Sequence, residues 1–160
     1  MLTSLRVLSL RVNNLSGPIP SDFSNLKYLT RLLLNSNSFS GNIPSSFSYL
    51  PYLIALRLAN NNFSGYLPDM KNAQDLTMFN VSYNKLVGPI PPSLSSFSES
   101  AFFNNVFLCG PPLNVACNAS FSGPTSYVKP DNTSTGRRAI FGIYSGSTML
   151  FVAQNLLNEQ

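Results

Sequence analysis

Cys109 and Cys117 are the two cysteines of a 160-residue chain that has no histidine. Two thiols eight residues apart can pair as a disulfide or stand free. They cannot make an all-cysteine zinc site alone, because that takes four thiolates. Without histidine there is no Ser-His-Asp or Cys-His relay and no histidine-based metal site. No G-x-G-x-x-G and no H-R-D occurs, so no kinase machinery is expected in these residues. The expectation is a non-enzyme with no cofactor. The other modifiable groups are the sequons at Asn14, Asn62, Asn80, Asn118 and Asn132, each followed two residues later by serine. Charge excludes one class of partner. The ten Lys and Arg against six Asp and Glu give +4, but no basic run exceeds Arg137-Arg138. A nucleic-acid binder clusters such residues on one face, so nucleic acid is not an expected partner.

The elements that must position these groups repeat. Gly17, Gly41, Gly65 and Gly88 fall 24, 24 and 23 residues apart. Each lies in a segment such as Asn13-Asn14-Leu15-Ser16-Gly17-Pro18-Ile19-Pro20 or Asn61-Asn62-Phe63-Ser64-Gly65-Tyr66-Leu67-Pro68. Upstream of each stands an apolar ladder: Leu5, Leu8, Leu10; Leu29, Leu32, Leu34; Leu53, Leu56, Leu58; and Leu76, Phe79, Val81. The alternating pair in each ladder predicts a short strand with one buried face. One repeat cannot bury that face alone, so neighbours must stack. The asparagines Asn13, Asn37, Asn61 and Asn84 are expected to point inward and satisfy backbone groups where the strand turns away.

This L-x-x-L-x-L-x-x-N period is the leucine-rich-repeat signature. Its L-S-G-x-I-P ending resembles the plant-specific class found in receptor-like kinase ectodomains, closest to those whose kinase domains are often inactive. The resemblance implies a solenoid of the α/β repeat class. Its concave face carries short parallel strands, a second short strand follows each first one, and its convex side is irregular or 3-10. After the fourth repeat, Phe102-Phe103-Asn104-Asn105 and Leu108-Cys109-Gly110-Pro111-Pro112-Leu113 resemble the C-terminal cap of that family. The resemblance implies a Cys109–Cys117 disulfide, and Phe97, Phe102 and Phe107 as cover for the core edge. The organisation expected is four repeats over 1–97, a cap over 98–118, a disordered linker over 119–138 and a truncated transmembrane-like or interfacial tail over 139–160. Nothing upstream covers Leu5, so the isolated chain is expected to be marginally stable or aggregation-prone.

In such a solenoid the outward strand positions form columns. They read Val7, Arg31, Ala55, Met78; then Ser9, Leu33, Arg57, Asn80; then Arg11, Asn35, Ala59, Ser82. Four strands at about 4.8 Å make a face about 15–20 Å wide. Arg11, Arg31 and Arg57 are its charges, and with Leu33, Asn35 and Met78 they are the candidate binding residues. The arginines either hold an acidic side chain or terminal carboxylate of a peptide, or are simply solvated. A glycan on Asn80 would shield one end of this face. The resemblance implies a fragment of a receptor-like kinase ectodomain at the cell surface. Its partner would be a protein or peptide, a co-receptor ectodomain among the candidates, with membrane association through a full-length span or marginal in this tail. The alternatives are a soluble, secreted, kinase-less decoy or enzyme inhibitor, and a gene-model fragment with no function of its own.

Overall fold

A computed structural model describes residues 4–117. The strand β1 (Val7–Ser9) is followed by β2 (Ser16–Pro18), and the next repeats give β3 (Arg31–Leu33), β4 (Ser38–Asn42), β5 (Ala55–Arg57), β6 (Asn62–Tyr66), β7 (Met78–Asn80) and β8 (Lys85–Pro89). A last strand, β9 (Phe107–Cys109), lies in the cap. The first strand of each repeat joins one parallel sheet in the order β1-β3-β5-β7. The second strands join another parallel sheet, β2-β4-β6-β8-β9. Single 3-10 turns at Ser21–Asn25, Ser45–Tyr49, Pro92–Leu94 and Glu99–Ala101 complete the convex and cap sides. The described residues contain no α-helix, and no described helix is long and apolar enough to cross a membrane.

The ladder residues fill the space between the sheets. Leu32, Leu34, Phe39, Leu53, Leu56, Leu58, Phe63 and Leu86 are fully buried. Phe39 and Phe63 occupy equivalent positions of successive repeats, and their rings stack at 6.3 Å. The turn between the two strands needs a left-handed residue in every repeat. Val12, Ser36, Asn60, Tyr83 and Asn104 all take it, with φ between 54° and 61°. The next residue is the ladder asparagine. Asn61 Nδ2 donates to the carbonyls of Leu34 (3.0 Å), Leu58 (3.1 Å) and Ala59 (3.3 Å), while its Oδ1 accepts from the Phe39 amide at 3.0 Å. Only an amide side chain both donates and accepts this way, which explains the residue type. Asn37 and Asn84 repeat the pattern. Asn13 also bonds its own turn, to the Leu10 and Arg11 carbonyls, but is exposed rather than inward-facing.

The glycine within each second strand has positive φ, and at Gly65 and Gly88 the preceding repeat also excludes a side chain. A Cβ on Gly65 would collide with the Asn42 amide, and one on Gly88 with the Tyr66 ring. The variable residue after one glycine thus packs on the glycine of the next repeat.

The cap is a fifth, shortened repeat. Asn105 Nδ2 donates to Val81, Phe102 and Phe103 carbonyls, and its Oδ1 accepts from the Leu86 amide at 3.0 Å. Phe102 is fully buried against Phe79, whose ring also meets that of Phe97 at 5.3 Å. Phe107 does not cover the core as expected: it is 55% exposed, and Leu108 is the inward residue at 2%. Strand β9 pairs Gly88 with Leu108, so alternation turns Phe107 outward. Cys109 and Cys117 form a disulfide. In the loop-entropy account, closing this short loop stabilises by about 2.5 kcal/mol. The linker and tail, with Asn118 and Asn132, lie outside the described residues.

Candidate functional site

The concave sheet sets the columns by its register. Val7 pairs with Arg31, Arg31 with Ala55 and Ala55 with Met78; Ser9 pairs with Leu33, Leu33 with Arg57 and Arg57 with Asn80. Beyond the strand ends the Val12 amide donates to the Asn35 carbonyl, Ser36 to Ala59 and Asn60 to Ser82, which carries the third column forward. Because successive strand residues face opposite sides, the leucines between these columns go to the core and the columns to the surface.

Arg11, Arg31 and Arg57 are exposed, and Leu33, Asn35 and Met78 are half-buried. The three arginines come from three successive repeats and from three different columns, so they make a staggered basic surface rather than a row. Arg57 is tethered: its Nη2 lies 4.0 Å from the Met78 sulfur. Among the described residues none of the three takes part in an ion pair. Their donors therefore face solvent, where a carboxylate could take two at once.

Three column positions expected to face outward are buried. Ala55 is 1% exposed, Ala59 9% and Ser82 6%. Ala55 sits in register between Arg31 and Met78, which carry longer side chains. Short residues in a column thus make a floor, and long ones its walls. A residue not anticipated for this face is Phe103. The Tyr83 amide donates to its carbonyl at 2.8 Å, which places Phe103 fifth in the column of Arg11, and it is half-exposed. The signal was present as Phe102-x-x-Asn105, the same spacing as Leu58-x-x-Asn61.

Among the described sequons, Asn14 and Asn62 are exposed at the start of the second-strand segments. Asn80 is half-buried beside Arg57. Its Oδ1 accepts from the Ser82 amide (2.9 Å) and the Ser82 hydroxyl (2.7 Å), so the two polar residues of that sequon bond each other. Among the described residues no group of acids and thiols is arranged to hold a metal ion.

This geometry defines the class. The Leucine Rich Repeat family model matches residues 4–26, 28–50 and 75–97. The chain carries leucine-rich repeats, and its described residues are a leucine-rich-repeat solenoid. Its relatives include plant receptor-like kinases and a polygalacturonase inhibitor of Arabidopsis thaliana, 50% identical over 42 residues, which is 25% of this chain and 13% of that protein. Pollen receptor-like kinase 1 of Arabidopsis thaliana is 37% identical over 79 residues, which is 48% of this chain and 12% of that protein. The BIR3–SERK2 complex from Arabidopsis thaliana contains a chain that superposes with a TM-score of 0.68 at 39% identity, over 72% of this chain and 62% of the other. The Arabidopsis receptor kinase HAESA, solved with the peptide hormone IDA and the co-receptor SERK1, gives 0.65 at 38% identity, over 73% of this chain and 20% of that one. The repeat domain is accordingly a plant receptor-ectodomain type of interaction module, a binding fold. It spans only a small part of the kinases it resembles.

Proposed function

We propose that this chain is part of a receptor-like kinase ectodomain at the cell surface, and that its concave sheet binds an extended peptide or a partner ectodomain in signalling. The observation that carries this reading is the staggered set of Arg11, Arg31 and Arg57, exposed on an open sheet with no acidic partner among the described residues. Half-buried Leu33 and Met78 beside them supply apolar contact. The HAESA complex with a peptide hormone and a co-receptor supports the class of partner. Charge-assisted bonds to guanidinium groups select a carboxylate, either an acidic side chain or a free C-terminus.

The test is a synthetic peptide library presented to the 160-residue chain, with every peptide made both as the free acid and as the C-terminal amide. Retained peptides are expected to be acidic or to need the free terminus. The double variant Arg31→Ala/Arg57→Ala should weaken their binding about 10- to 100-fold, the worth of one or two charged hydrogen bonds. Retained peptides that are indifferent to amidation, acidity and both substitutions would overturn the reading.

A further inference from the structure

A second groove lies along the rim of the concave sheet, where the chain turns into the first strand of each repeat. It has a volume of about 360 Å³ and is lined by Arg6, Tyr28, Thr30, Tyr52, Ile54 and Asp75. Tyr28 and Tyr52 hold equivalent positions, each just before the leucine that opens its ladder. Their rings stack 6.2 Å apart with planes 6° from parallel. Both are half-exposed, at 52% and 51%. Ile54 is half-buried and lines the groove with them. The Thr30 hydroxyl donates to the Arg6 carbonyl at 2.8 Å and is already spent. Arg6 and Asp75 belong to the first and fourth repeats. Both are exposed, and neither forms an ion pair among the described residues. Three inter-strand spacings, on the order of 14 Å, separate their rungs, and Asp75 stands two residues before Thr77, the position aligned with Arg6.

The chemistry of the occupant follows from this order: cation, two parallel phenols with an apolar residue, anion. A neutral saccharide makes no use of opposite charges at the two ends, and a uronate chain would meet Asp75. Proline-rich segments in the polyproline II form dock on aromatic-lined grooves with little entropy to lose. Such a segment rises about 3.1 Å per residue, so five residues place their outer side chains about 12 Å apart.

We propose that this rim groove binds a proline-containing extended segment whose acidic and basic residues, about four positions apart, meet Arg6 and Asp75 while the prolines cover Tyr28 and Tyr52. The site is separate from the concave arginine face and stands or falls without it.

The experiment is a fluorescence-anisotropy titration of the 160-residue chain with three end-blocked, labelled peptides: Glu-Pro-Pro-Pro-Lys, Glu-Pro-Pro-Pro-Glu and Lys-Pro-Pro-Pro-Lys. The mixed peptide should bind about three- to five-fold tighter than either other, the range for exposed charge pairs. Tyr28→Ala/Tyr52→Ala should weaken it about ten-fold through loss of both aromatic contacts. Both tyrosines are half-exposed, and a circular-dichroism melt verifies that the variant folds. Arg6→Glu should reverse the preference toward the doubly basic peptide, a change that a folding defect cannot produce. In the Arg31→Ala/Arg57→Ala background, which removes carboxylate binding at the concave face, the preference for the mixed peptide and its dependence on Tyr28 and Tyr52 should persist, which separates this site from that face. Equal affinity for the three peptides, no binding of any, unaltered binding by the tyrosine variant, or capture of cellohexaose in place of the peptides would overturn the proposal.

Discussion

The first repeat and the cap hold equivalent residues at different depths. Leu8, Leu10 and Leu15 are half-buried, whereas Leu32, Leu34 and Phe39 one repeat later are fully buried. Asn13 is exposed, whereas Asn105 in the cap is 5% exposed with the same kind of bonds. The amino acids are nearly the same, so the difference comes from what lies on the next rung. Burial in a solenoid belongs to the neighbour as much as to the residue.

Core truncation should show the largest contrast. Leu56→Ala is expected to cost about 4 kcal/mol, because a fully buried leucine leaves a cavity. Leu8→Ala should cost about 1–2 kcal/mol, since its site is already partly open. Urea unfolding of both variants measures the difference, and equal losses would erase the distinction between the first repeat and the covered ones.

The ladder amides come second. Asn84→Ala should cost about 3 kcal/mol, leaving the Phe63 amide and the Leu58 carbonyl short of a buried partner. Asn13→Ala should cost under about 1 kcal/mol, because water replaces its bonds. A loss at Asn13 as large as at Asn84 would mean the first repeat is better covered than its exposure shows.

The smallest effect has the opposite sign. Val12 is a β-branched residue at φ 56°, in a turn that Asn104 fills in the cap. Left-handed geometry is easier for asparagine than for valine. Val12→Asn should therefore stabilise by about 0.5–1 kcal/mol in thermal unfolding, and Asn104→Val should destabilise by a similar amount.

Much of this architecture was legible in the residues. Period and ladder spacing specify the stack, the strand register and the asparagine rungs, because each repeat must solve the same packing problem. The cap was only half legible. Its β9 strand keeps the register of the strands before it, but one extra residue follows Asn105, so the inward residue is Leu108 and not Phe107. Asn105 was signalled only by its spacing from Phe102, because its repeat lacks the usual leucines. The burial of Ala55 and Ser82 was also hidden, since alternation gives direction but not the reach of neighbouring side chains. The rim groove escaped a column-by-column reading because its lining residues precede the strands and span four repeats.

The bonds that the asparagines make between repeats all point the same way. Asn61 ties down Phe39 and Leu34 of the repeat before it, and Asn105 does the same for Leu86 and Val81. On a ribosome, where the chain emerges from its N-terminus, each turn therefore receives its last hydrogen bonds only after its successor has been made. The fourth repeat waits for Asn105, so the short cap acts as the completion signal for the stack it follows.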